Sequence, residues 1–150
     1  LTNTVNRTII ISVDKQKESG YSIMNYKNEV AKQITNHIAG IFRQISVNSE
    51  LNLEEGQIIS TKKAESWSNE GEFAIETKRN IDYVFTVINE VPVHEVDYNN
   101  EEEVEELDAV EAEREVLVPA GTKFEIMDIG IDLDLEELGY LPVEIKYIAD

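Results

Sequence analysis

The spacing of apolar residues switches between two periods along this chain. Thr4 to Val13 is rich in β-branched residues and predicts a first strand, interrupted by Arg7. Asp14 to Tyr21 is polar and predicts a loop. Across 26–46, Val30, Ile34, Ile38, Ile41, Phe42 and Ile45 recur at steps of three and four, which predicts an amphipathic helix with Gly40 as its weak point. His37 falls beside the apolar stripe of that helix, as a surface or partly buried side chain. A polar connection over 47–55 leads to a short strand, Gln57 to Thr61, and a polar loop, Lys62 to Glu72. Ile81 to Asn89 is almost continuously apolar and predicts a central strand covered on both faces. His94 follows at a strand edge.

Asp97 to Glu111 is dominated by acids and predicts an exposed, mobile segment, although Val104, Leu107 and Val110 at three-residue steps admit a helical turn or two. Glu113 to Val118 and Thr122 to Ile129 predict a hairpin about Val118-Pro119-Ala120-Gly121, where Pro suits the second and Gly the fourth position of a type I turn. Leu133 to Leu138 predicts a helical turn ended by Gly139, and Leu141 to Ile148 a last strand. The order predicts one α+β domain over residues 1–150, with two packed, mainly antiparallel β-sheets and the 26–46 helix on the flank.

Charge narrows the partners. With 13 Lys and Arg against 31 Asp and Glu, the chain of 150 residues carries a formal charge of −18. That excludes nucleic acid and anionic membrane as partners and favours a protein target with a basic surface. There is no cysteine, hence no disulfide, thiolate metal site or cysteine nucleophile. No run approaches the ~18 apolar residues of a membrane span. The start at Leu1, without a methionine, leads us to expect a chain processed or excised from a longer protein, and a soluble one. Asp132, Asp134 and Glu136 alternate as Ca²⁺ ligands do, but the Gly and Glu of an EF-hand loop are missing, so no metal site is expected.

Two carboxylates, Glu113 and Glu115, alternate onto one strand face just before the Pro-Gly turn. The spacing recurs at Glu101/Glu103, Glu103/Glu105 and Glu111/Glu113, so only the register against Val-Leu-Val-Pro-Ala-Gly-Thr-Lys-Phe singles this pair out. The segment resembles the third motif of the mono-ADP-ribosyltransferase superfamily, a Glu-x-Glu running into an apolar strand and turn. The arginine-directed branch also carries an arginine on an early strand, commonly after Val-aromatic, and a Ser-x-Ser after a Gly-led strand. Here Thr4-Val5-Asn6-Arg7 supplies the first, with Asn6 where an aromatic is usual. Gly56-Gln57-Ile58-Ile59 leads to Ser66-Trp67-Ser68, followed by Phe73-Ala74, with Trp67 where Thr is commoner.

The resemblance implies an NAD-dependent transferase of bacterial toxin or phage type. Cleavage of the ribose–nicotinamide bond of NAD⁺ leaves an oxocarbenium-like centre, which a fixed carboxylate stabilises. That role falls to Glu115, oriented by Ser66. Glu113 meets the incoming arginine, and Arg7 grips the pyrophosphate. Trp67, Ser68 and Phe73 complete the NAD site, with Phe73 also suited to the core. Two other readings stand beside this one. The chain can be a catalytically silent binding or structural module of the same fold, or an acidic interaction domain outside the family.

Overall fold

A computed structural model describes residues 19–69, 80–109 and 114–149. The predicted first strand at 4–13, and with it Arg7, lies outside the described residues, as do Phe73 and Glu113.

The described residues form α1 (Ser19–Ala31), β1 (Asn36–Ile38), β2 (Phe42–Val47), β3 (Ile58–Ser60), β4 (Glu65–Ser68), β5 (Ile81–Val87), β6 (Val91–Glu95), α2 (Glu101–Leu107), β7 (Glu115–Val118), β8 (Lys123–Ile129), α3 (Asp132–Leu138) and β9 (Leu141–Ile148). The strands follow the order β1-β6-β7-β4-β2-β5-β9-β8-β3. All pairings are antiparallel except β5 with β9. The α+β expectation holds.

The order is pinched in the middle. β2 meets β4 through the single pair Phe42↔Ser68, which leaves a four-strand half (β1-β6-β7-β4) and a five-strand half (β2-β5-β9-β8-β3). One apolar core joins the halves: Trp67, Val91, Val93, Val116 and Val118 come from the first, and Tyr83, Phe85, Phe124, Ile126 and Ile145 from the second. The Trp67 and Phe124 rings meet at 5.9 Å. The expected two-sheet packing is thus met by halves that remain hydrogen-bonded at one point.

β5 sits between β2 and β9 with most of its residues buried, as its almost continuous apolar run predicts. Gly139 ends α3 in the left-handed conformation (φ 85°), donating its N–H to the Leu135 carbonyl.

Several expectations are corrected. The 26–46 helix stops at Ala31, and 36–47 forms β1 and β2 instead. Gly40 (φ 86°) makes the turn between them, where a helix cannot run on. Steps of three and four among β-branched residues suit a strand buried on both faces as well as a helix. Ser66-Trp67-Ser68 lies in strand β4, not in a loop.

The Pro-Gly turn does not close a hairpin. β7 pairs with β4 and β6, whereas β8 pairs with β3 and β9, so the turn carries the chain from one half-sheet to the other. It is held from the side: Thr61 and Thr122 hydroxyls both donate to the Pro119 carbonyl at 2.7 Å, and Gly121 N–H donates to the Thr61 carbonyl at 2.8 Å.

Finally, the acidic segment forms the helical turns that its apolar spacing admits, but it is anchored instead of wholly exposed. Glu103 of α2 is buried against His94 of β6, with Glu103 Oε2 3.1 Å from His94 Nε2 and accepting from Asp97 N–H at 2.6 Å. His94 Nδ1 lies 2.8 Å from the Gln33 carbonyl. His94 is therefore an interior residue, 5% exposed, not an edge one. The other glutamates of α2 remain in solvent.

Candidate active site

Antiparallel register brings the serine motif to the glutamate motif. Ser66 lies opposite Leu117 and Ser68 opposite Glu115, so period-two alternation places Ser66, Ser68, Glu115 and Leu117 on one face of the β4–β7 pair. On that face Ser66 Oγ donates to Glu115 Oε2 at 2.6 Å. This is the short distance of a hydroxyl bound to an ionised carboxylate.

Glu115 is held at its backbone as well. Its N–H donates to the Tyr98 hydroxyl at 2.8 Å, and its carbonyl accepts from Val96 N–H at 3.2 Å. The residue before it, Arg114, is left-handed (φ 48°). Strand β7 begins at Glu115; Glu113, which the sequence predicts to share its face, lies outside the described residues.

Helix α1 covers the same face. Its Val30 and Ala31 pack with Ala64, Val96 and Leu117, and Asn28 Oδ1 accepts from Ala64 N–H at 2.8 Å. Lys27, one turn before Val30 and Ala31, is half-buried and lies in the field of Glu115, Arg43, Lys63 and Glu65. Burial pushes its ammonium below the ordinary lysine value; Glu115 pulls it back up, and Arg43 and Lys63 push it down further.

Arg43 was not among the residues expected from the sequence. It projects from β2 at the pinch between the half-sheets, and its guanidinium donates to the Ser66 carbonyl at 2.8 Å. Its signal is present in the chain: Ile41-Phe42-Arg43 is an apolar–aromatic–arginine run on a strand, a closer match to the arginine motif than Val5-Asn6-Arg7. Reading 26–46 as a helix hid it. Lys27 and Tyr98 carried no such signal, being one lysine on a helix and one tyrosine in an acidic run.

Trp67 points the other way. It is 5% exposed within the core, and its Nε1 donates to Glu65 Oε1 at 3.2 Å. With Arg43, Glu65, Phe85 and Phe124 it lines a cavity of about 100 Å³. Among the described residues, no group of acidic, histidine or cysteine side chains is arranged to hold a metal ion.

A hydroxyl-oriented carboxylate at a strand start, with Lys27 in its field and Arg43 on the carbonyl of the orienting serine, can stabilise positive charge on one part of a ligand while holding an anionic part. The same architecture occurs in solved ADP-ribosyltransferases. Vis of Vibrio splendidus, solved in complex with agmatine, superimposes with a TM-score of 0.57 over 90% of this chain and 62% of its own, at 15% identity. C3stau2 of S. aureus, solved with NAD, gives 0.55 over 87% and 71%, at 13% identity.

The chain has the mono-ADP-ribosyltransferase fold.

The chain spans less than half, 45%, of the length of the type III effector XopAI of Xanthomonas axonopodis pv. citri, to which it is similar at 18% identity and a TM-score of 0.46. No protein-family profile matches the chain, and no curated protein matches it significantly. Among the described residues, no helix of this ADP-ribosyltransferase fold is long and apolar enough to cross a membrane.

Proposed function

We propose that this chain is a mono-ADP-ribosyltransferase that transfers ADP-ribose from NAD⁺ to an arginine side chain of a protein target. The observation that carries the reading is the 2.6 Å bond from Ser66 to Glu115, formed across two strands of a fold whose solved examples include a transferase bound to NAD and another bound to agmatine.

In this reading the bond between ribose C1′ and the nicotinamide nitrogen breaks, and its electron pair leaves with nicotinamide. The Glu115 carboxylate stabilises the oxocarbenium-like centre, with Ser66 holding its orientation. Arg43 takes the pyrophosphate-gripping role that the sequence pattern first suggested for Arg7. The guanidinium nitrogen of the acceptor then forms its bond to C1′. A guanidinium is almost never deprotonated in water, so its proton passes to Glu113 as attack proceeds. Ser68, directly across from Glu115, borders the same face. Trp67 supports β4 from the core side instead of packing on nicotinamide, since its ring belongs to the apolar cluster. The exposed glutamates of α2 offer a basic target its docking surface.

The test is nicotinamide release by the purified chain, with and without agmatine. Release that rises with agmatine and yields ADP-ribosyl-agmatine is expected. A chain that leaves NAD⁺ intact is the catalytically silent module of this fold.

A further inference from the structure

We infer that the buried pair of His94 and Glu103 positions the Glu115 carboxylate: the pair fixes residues 96–98, and these hold the Glu115 backbone from both sides. The consequence for catalysis rests on the proposed transferase reading, but the mechanical link to Glu115 does not.

The argument starts at the strand end. Glu115 is the first residue of β7, and Ser68↔Glu115 is the outermost register pair between β4 and β7. A strand end frays more readily than its middle, so what lies beyond the ladder decides how well it is held. At Glu115 two residues of the β6–α2 connection do that work. Val96 N–H donates to the Glu115 carbonyl at 3.2 Å, and the Tyr98 hydroxyl accepts from the Glu115 N–H at 2.8 Å.

The residue between them is anchored in turn. Asp97 N–H donates to Glu103 Oε2 at 2.6 Å, and the same oxygen lies 3.1 Å from His94 Nε2. His94 Nδ1 lies 2.8 Å from the Gln33 carbonyl, and Gln33 is tied to the end of α1 by its own N–H on the Val30 carbonyl. A carbonyl only accepts, so Nδ1 carries hydrogen; Nε2 then meets a carboxylate, and one proton lies between them. Each partner is left unsatisfied if the other is removed. The end of α1, β6 and the start of α2 are thereby locked together around residues 96–98.

Stability does not account for such a pair. A buried ion pair often does no better than apolar side chains of the same volume. Glu103 is buried while Glu101, Glu102, Glu105 and Glu106 of the same helix are exposed, and Leu107 already packs α2 against the apolar cluster of Val30, Val96 and Leu117. Apolar contact is non-directional and would seat α2 without fixing where Asp97 sits. Hydrogen bonds have a fixed length and angle, and they fix it. The Ser66–Glu115 bond at 2.6 Å needs that precision, because it joins a serine on β4 to a carboxylate at the end of β7.

The experiment compares the parent chain with His94→Leu/Glu103→Met, which replaces both partners by apolar side chains of similar size. Amide hydrogen exchange and melting temperature are read together. No unpaired charge is left in the interior, so the melting temperature should stay within a few degrees of the parent. Exchange at the Glu115 and Val96 amides should nevertheless quicken by roughly tenfold or more, with the β5 amides at parental rates. Glu103→Gln keeps the size and loses the charge; it should loosen the same two amides and carries the test by itself should the double variant not fold.

In the nicotinamide-release assay the double variant should lower kcat several-fold with KM for NAD⁺ nearly unchanged. Adding Tyr98→Phe to it should cost little more, because both changes act through the Glu115 backbone. The inference is overturned if a folded variant exchanges the Glu115 amide at the parental rate, or if it keeps the kcat of an active parent. The transferase reading fails separately: a parent chain that never releases nicotinamide loses the enzyme, and the exchange rates still decide the link from His94 and Glu103 to Glu115.

Discussion

Ser66→Ala removes one hydroxyl and leaves Glu115 in place, so it tests what orientation of the carboxylate is worth. A hydrogen bond to a charged group contributes about 1.5–3 kcal/mol. Ser66 and Glu115 are both half-buried, and water can replace part of what is lost, so the lower end applies. At ~1.4 kcal/mol per factor of ten, kcat for nicotinamide release should fall about tenfold, with the melting temperature lowered by no more than a few degrees. Ser66→Thr keeps the donor and should retain most activity. Glu115→Gln keeps the shape and loses the charge, and should cost ~10²–10³ in rate.

The decisive measurement is the double variant. If Ser66 acts only by holding the Glu115 carboxylate, then Ser66→Ala adds nothing once Glu115 is Gln, and the double variant equals Glu115→Gln alone. Losses that multiply would mean that Ser66 serves the reaction by another route. Full activity in Ser66→Ala would mean that the 2.6 Å bond is a structural contact and not a catalytic one.

Three further predictions follow from the same geometry. Glu113→Gln should lose most agmatine modification while keeping appreciable NAD⁺ hydrolysis, because water can still attack; Glu111→Gln, with the same spacing upstream, should leave both activities near the parent level in the nicotinamide-release assay. Tyr98→Phe deletes the acceptor of the Glu115 N–H and should lower kcat several-fold with KM for NAD⁺ nearly unchanged, about the effect of one neutral hydrogen bond; equal changes in both constants would count against a positioning role. Glu103→Ala leaves His94 and the Asp97 N–H without their buried acceptor, and at about 1–3 kcal/mol should lower the melting temperature by roughly 2–10 °C in a scanning calorimeter; an unchanged value would mean that water enters and replaces the carboxylate.

Short windows of the chain determined a good deal by themselves. Ile81 to Asn89 marks the central strand because burial on both faces favours a nearly continuous apolar run, and β5 is that strand. Gly139 marks the end of α3 because the left-handed conformation is a local requirement. The serine and glutamate motifs were legible for the same reason: each concentrates its chemistry in three consecutive residues.

What the windows could not settle was partnership. The Pro119–Gly121 turn specifies a change of direction, not a partner; β7 pairs with β4 and β6 because Val116 and Val118 are then buried in the core shared by the half-sheets. His94 is interior because Glu103, nine residues on, comes back over it and the Gln33 carbonyl closes on its other nitrogen. Arg43 could be placed on a helix or a strand by spacing alone, and only as a strand does it reach the Ser66 carbonyl, 23 residues away in sequence. The bond from Ser66 to Glu115 at the candidate site spans 49 residues. Periodicity and turn chemistry act over a few residues, whereas the meeting of Ser66, Glu115, Arg43 and Lys27 depends on sheet register and helix docking, which only burial of the whole core decides.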